Sequence, residues 1–215
     1  MKKVYKDLDK ILKTSERVAI LTHYIPNPDP DTVSSALLIR YILANHYKHL
    51  KIDVFMQGPM PNRIEELNFP YLKKISIVKD RKDIDFKKYT LVIMSDFNEV
   101  RRGLKGLTED ILKDTSIVVI DHHRGNPTKK AKVFINELRC STVEQVFIIF
   151  REILKEKLVI DKTIATYVQI GIISDTGNLL YNSDYPETYK IMAEMINVHP
   201  VELLYLTDIL YNLHI

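Results

Sequence analysis

Acids and histidines follow several short apolar runs. Arg17 to Thr22 leads into His23 and then Asp29-Pro30-Asp31. Thr90 to Ser95 ends at Asp96, and Ser116 to Ile120 ends at Asp121-His122-His123. A further acid, Asp175, lies in Gly171-Ile172-Ile173-Ser174-Asp175-Thr176-Gly177, expected just past a helix. If the runs are strands of one parallel sheet, these groups share its carboxyl rim, where such sheets bind ligands. Gathered there, they would repel one another or change protonation without cations. Mixed oxygen and imidazole donors suit Mn²⁺, Fe²⁺, Co²⁺ or Zn²⁺, whereas an all-oxygen set favours Mg²⁺ or Ca²⁺. A two-metal site with a bridging carboxylate would generate hydroxide at neutral pH and clamp an in-line phosphoryl displacement.

The same residue types have plainer uses. An aspartate at a strand end also forms turns or caps helices, and Asp31 could cap a helix beginning at Thr32. His46, His49, His199 and His214 read as surface or hydrogen-bonded residues.

The elements that must position these groups alternate along the chain. Helices are expected over Lys3 to Lys13, Thr32 to about His46, Asn62 to Leu67 and Ser141 to Leu154. Others are expected over Asp161 to Ile173, Pro186 to Ile196 and Val201 to Asn212, with Asp161 as an N-cap. Lys51 to Met56 and Lys132 to Ile135 add two strands. Short buried strands alternating with helices predict an α/β fold, a mostly parallel sheet with helices on both faces. Phe147, Phe150, Met192 and Met195 fall at helical spacing and read as core.

Composition narrows the function. A net charge of +3 is too small for coating duplex DNA or a membrane surface by bulk charge. The single Cys140 cannot form an internal disulfide or a thiolate cage, which points to an intracellular, cytoplasmic protein. No apolar run approaches the roughly 18 residues that a membrane span needs. None of the six glycines makes a dinucleotide or P-loop signature.

Four segments in order resemble the motifs of the DHH phosphoesterase superfamily. They are Asn27-Pro28-Asp29-Pro30-Asp31 with Ser34-Ser35-Ala36-Leu37; Asp96 with Arg102-Gly103; Asp121 to Asn126; and Gly171 to Tyr181 with Pro186-Glu187-Thr188. Ser141-Thr142 with Glu144 resembles the helix between the third and fourth. The likeness runs from about Arg17 to Asn212, and residues 1–215 read as a single DHH-type domain.

The resemblance implies two divalent cations, Mn²⁺ first, with Mg²⁺ or Co²⁺ as alternatives. It implies one metal on His23, Asp29 and Asp96, and another on Asp31, Asp96, His122 and Asp175. Asp96 would bridge, and a shared water or hydroxide would be the nucleophile. His123 would contact the scissile phosphate or act as an acid near it, and Asp121 would orient His122. Arg102 and Asn126 would contact phosphate; Arg102 also reads as a solvated helix charge. Tyr181, Tyr185 and Tyr189 could stack on a base, although partly buried tyrosines are the simpler account.

Two departures stand out. The family places its first histidine two residues before the Asn-Pro-Asp-Pro-Asp run, where this chain has Ile25; a two-residue insertion would let His23 serve instead. The glycine-rich segment of the family's C-terminal substrate-binding domain does not occur, so the chain is expected to be a stand-alone domain or a piece of a longer one. The expected function is metal-dependent hydrolysis of phosphoesters in short oligonucleotides or nucleotides. The alternatives are a pyrophosphatase and a nucleotide-binding module with little turnover. A homodimer or partner domain could cover the surface left by a missing domain.

Overall fold

The computed structural model describes residues 1–181 and 186–211. Its strands are β1 (Arg17–Leu21), β2 (Lys51–Gln57), β3 (Ile75–Val78), β4 (Leu91–Ser95), β5 (Ser116–Ile120) and β6 (Ala131–Ile135). Its α-helices are α1 (Lys3–Thr14), α2 (Pro30–His46), α3 (Asn62–Glu66), α4 (Val100–Gly103), α5 (Thr142–Leu154), α6 (Lys162–Thr176), α7 (Pro186–Val198) and α8 (Leu203–Tyr211). The six strands form one sheet in the order β3-β2-β1-β4-β5-β6, and every pairing is parallel. The chain grows outward from β1 to β3, returns to the centre at β4, and then grows the other way. This reversal leaves a switch point between β1 and β4, where a parallel sheet opens a crevice.

Side chains alternate between the two faces of each strand. Val18, Ile20, Ile93, Val118 and Ile120 join residues of α1, α2, α5 and α6 in the larger core. Ala19, Leu21, Val92, Met94 and Val119 join a smaller core with Phe86, Tyr89, Phe97, Leu104 and Leu107. Helical segments therefore cover both faces, but the second is closed by α4 and short 3₁₀ turns at Arg81–Asp83 and Phe86–Lys88. Phe147, Phe150, Met192 and Met195 are buried, as their spacing implied. His46, His49 and His199 are exposed, and His49 Nε2 bonds the Leu12 carbonyl at 3.2 Å.

Some boundaries differ from expectation for local reasons. Helix α2 starts at Pro30, a residue suited to a first turn because its missing N–H would be unpaired there. Its N-cap is Asp29, which accepts from the Thr32 backbone N–H, so Asp31 is not the cap. Helix α6 continues to Thr176 and stops at Gly177, whose φ of 57° is left-handed. Asp175 therefore lies inside the helix, not past it. Strand β3 went unread because two of its four residues, Ser76 and Ile77, are exposed at the sheet edge, leaving little periodicity. Tyr181 and Tyr189 are about half exposed, in keeping with partly buried tyrosines. Tyr185, His214 and the last residue of the predicted final helix, Asn212, lie outside the described residues.

Asp161 caps α6 by accepting from the N–H groups of Thr163 and Ile164, and it also accepts from the Tyr41 hydroxyl. Replacing Asp161 by Ala should cost about 1–2 kcal/mol of unfolding free energy. Urea denaturation followed by circular dichroism measures it. A loss below about 0.3 kcal/mol would show that water replaces the cap at no cost.

Candidate metal centre

Three central strands deliver their next residues to the switch point, and each continues the ladder by one bond. Thr22 N donates to the Phe55 carbonyl, Asp96 N to Ile120 and Asp121 N to Ile135. Asp96 has a φ of 69°, a left-handed conformation that costs most L-residues about 1–3 kcal/mol. It is fixed from two sides, by its ladder bond and by Thr142 Oγ1, which donates to Asp96 Oδ1 at 2.8 Å.

Around Asp96 the predicted residues converge. His23 Nε2 lies 3.3 Å from Asp96 Oδ2 and 3.4 Å from Asp29 Oδ2. His122 Nε2 lies 3.1 Å from Asp175 Oδ2 and 3.6 Å from Asp96 Oδ1. His123 Nδ1 is also 3.6 Å from Asp96 Oδ1. Three sets of donor atoms fall within 4.8 Å of one another: His23/Asp29/Asp96, Asp31/His122/Asp175 and Asp96/His122/His123. The shifted histidine is thus at the centre. The loop after it bends at Ile25-Pro26, and His23 Nδ1 meets the Pro26 carbonyl at 3.0 Å.

Neighbouring groups fix the orientation of each ligand-type side chain. With the Pro26 carbonyl taking Nδ1–H of His23, Nε2 faces the carboxylates. The Arg139 carbonyl does the same for His122, 3.2 Å from its Nδ1. Asp121 does not orient His122 as expected. It bonds His123 instead, with Oδ1 at 2.8 Å from Nδ1 and accepting from the His123 N–H at 3.2 Å. The Arg139 carbonyl occupies the ring nitrogen of His122, and no residue-type pattern announces a carbonyl.

Asp31 is buried and bound at the start of α5, accepting from the N–H groups of Thr142 at 2.6 Å and Val143 at 2.9 Å. These are two of the four N–H groups that a helix leaves unpaired at its start, at the positive end of its dipole. The carboxylate also needs room beside α6. A Cβ on Gly171 would stand 2.8 Å from Asp31 Oδ1 and 2.5 Å from Val143 Cγ1. The motif containing Gly171 was legible in sequence; the roles of Thr142 and Gly171 were not, because both depend on inter-helix packing.

Arg102 and Asn126 sit at the periphery. Arg102 Nε donates to the Ile25 carbonyl at 2.8 Å, and Tyr24 N donates to the Arg102 carbonyl at 2.7 Å, which braces the loop behind His23. Asn126 is exposed on the loop after His123.

The crowding shifts protonation. Burial would lower both metal-facing imidazoles, but Asp29 and Asp96 outweigh it at His23 and raise it to about 10. Asp175 and Asp96 do the same at His122, raising it to about 9. Burial first, then the charges of Asp175, Asp96 and Asp29, hold Asp31 well above the usual carboxylate range. Burial, with Asp96 and Asp29, lifts Asp175 to about 6 against the pull of His122. Burial opposes ionisation of Asp29 too, but His23 prevails and lowers it. Asp121 raises His123 against burial.

Fold and centre together define an acid- and imidazole-rimmed α/β domain. The DHH family, N-terminal domain, matches residues 17–172, and the chain belongs to that family. It is 28% identical over 198 residues to a probable manganese-dependent inorganic pyrophosphatase of Lactococcus lactis, covering 88% of this chain and 58% of the relative. It is 20% identical over 177 residues to a probable bifunctional oligoribonuclease and PAP phosphatase of Streptococcus mutans, covering 82% and 52%. The chain spans about half the length of these curated relatives. Among solved structures it resembles an exopolyphosphatase-related protein from Bacteroides fragilis, with TM-score 0.79, 22% identity, and 99% and 62% of the chains covered. A putative family II inorganic pyrophosphatase from Methanococcus jannaschii aligns with TM-score 0.63 at 18% identity, covering 90% and 59%. At these identities the structures support the fold.

Two outcomes are expected. Gly171→Ala should destabilise the protein by about 1–3 kcal/mol, because its methyl group must displace the Asp31 carboxylate or Val143. A crystal structure with Asp31 unmoved and an unchanged melting temperature would contradict this. In chelated protein, His23 and His122 lie above their ordinary value of 6.5, so their stabilisation is complete below that pH and lost as pH rises through about 9 and 10. Asp175, raised to about 6, acts in the same direction at lower pH. The melting temperature without metal should therefore fall from pH 6 towards pH 10. A flat profile in differential scanning calorimetry would mean that these imidazoles carry no such pairing.

Proposed function

We propose that the protein is a divalent-metal-dependent phosphoesterase that hydrolyses short oligonucleotides or nucleotides. One observation carries the reading: Asp96 Oδ2 and His122 Nε2 are buried and make no well-aligned hydrogen bond, each facing another ligand-type atom, His23 Nε2 at 3.3 Å and Asp175 Oδ2 at 3.1 Å. Buried polar atoms are rarely left unbonded, and oxygen and imidazole donors at such spacing fit a first-row divalent cation. His23, Asp29 and Asp96 would hold one ion; Asp31, Asp96, His122 and Asp175 would hold the other, with Asp96 shared. Mn²⁺ is the first choice, supported by the name of the Lactococcus lactis relative. When bound, two such ions supply Lewis-acid polarisation of the phosphoryl group and acidify water.

The protein's own groups do the rest. Thr142 and the start of α5 keep Asp96 and Asp31 aimed at the centre before anything binds. Carbonyls lock the tautomers of His23 and His122 so that Nε2 faces inward. Asp121 favours the imidazolium form of His123, whose ring is 41% exposed. His123 then gives a proton from Nε2 to the leaving oxygen as the P–O ester bond breaks and water oxygen joins phosphorus. Asn126 and Arg102 are assigned to contact with phosphate oxygens.

Pyrophosphate hydrolysis is the second reading, favoured by the Lactococcus lactis relative. Release of phosphate from pyrophosphate, against release of mononucleotide from a dinucleotide, separates the two.

Asp96→Asn and His122→Ala should abolish Mn²⁺-dependent cleavage and weaken Mn²⁺ binding at least about a hundredfold. Circular dichroism should remain native. Titration calorimetry and turnover of a dinucleotide read both effects. Native affinity in either purified variant would remove that residue from the centre.

A further inference from the structure

Beside the centre lies a cleft of about 340 Å³ between α3, α6, α8 and the loop before α2. Asp29 and Asp175 form part of its wall, so it opens directly onto the groups assigned to the cations. Arg63, on α3, lines the same cleft. Its Nη1 donates to the Leu210 carbonyl at 3.1 Å, near the end of α8. Tyr211 pins the same end to α6 by donating to the Ile173 carbonyl at 2.9 Å. Arg63 thus has a built position, and its side chain is exposed beside the cleft. An arginine remains charged at any working pH and favours phosphate oxygens.

The remaining surface of the cleft is largely apolar: Pro30, Pro61, Leu210 and the Tyr211 ring. The volume is at the small end of the range for small-molecule sites, about 300–1,000 Å³. A small inorganic anion would use Arg63 and leave these surfaces wet. A phosphorylated nucleoside would use both, since every base has a face that stacks on rings and apolar walls.

We propose that this cleft is a single-nucleotide subsite, in which Arg63 binds a phosphate and the proline, leucine and tyrosine surfaces receive the nucleoside. The subsite rests on the phosphoesterase reading and makes the substrate class a nucleotide, not pyrophosphate. Its occupant lies next to Asp29 and Asp175, so the linkage that joins it to the rest of the substrate reaches the centre.

Calorimetric titration of the Mn²⁺-loaded protein with adenosine 5′-monophosphate, adenosine and inorganic phosphate tests it. In the wild type, the nucleotide should bind more tightly than phosphate, and its affinity should fall as NaCl rises from about 0.05 to 0.5 M. Arg63→Gln keeps a donor for the Leu210 carbonyl but removes the charge. It should weaken nucleotide binding about tenfold or more, flatten the salt dependence and spare adenosine, while Arg63→Lys should restore much of the loss. Equal affinity for phosphate and nucleotide in the wild type would overturn the nucleoside part. Salt-independent wild-type binding, or unchanged binding by Arg63→Gln, would overturn the role of Arg63. Wild-type cleavage of bis(p-nitrophenyl) phosphate judges the underlying hydrolase reading separately, because that compound carries no base and the binding titrations need no turnover.

Discussion

The structure depends on crowding acidic groups where water is scarce. Asp31, Asp96 and Asp121 are buried at the sheet rim, and Asp29 and Asp175 complete the ring. Like charges in such a place repel strongly, and burial disfavours each ionised form. The fold offsets this with positive ends and donors already in place. Helix α5 points its first N–H groups at Asp31, Thr142 donates to Asp96, and two imidazoles lie between pairs of carboxylates. Divalent cations, as proposed, would complete a balance that the polypeptide begins.

Each component arrives on a different element. His23 follows β1, Asp96 follows β4 and His122 follows β5, while Asp29 and Asp31 open α2 and Asp175 rides near the end of α6. Parallel strands make the first three coincide, since their carboxyl ends face one way. Helix contacts set the rest. Gly171 lets α6 approach the Asp31 carboxylate closely. Buried Glu144 accepts from Thr188 at 2.8 Å and from Cys140, tying α7 to the segment that carries the Arg139 carbonyl. Damage to that packing would reach the orientation of His122 without touching a ligand.

The family match ends at residue 172, but the centre does not. Asp175 stands 3.1 Å from His122, and the cleft next to it is walled by α8. The wall of the centre therefore continues past the matched segment.

Residue types and short-range pattern determined much of this protein. Apolar runs located five of the six strands, and the acids and histidines at their ends marked one rim. The order of the motifs identified the family, because a ligand set must keep its residue types to keep its chemistry. Position in space was decided by tertiary contacts. Asp31 finds its partners at the start of α5, and Asp121 serves His123 while a carbonyl meets the Nδ1 of His122. Thr142, Gly171 and Arg63 meet partners 46, 140 and 147 residues away. Sequence periodicity reports the environment along one element. Such pairings belong to the packing between elements, and that exists only once the chain has folded.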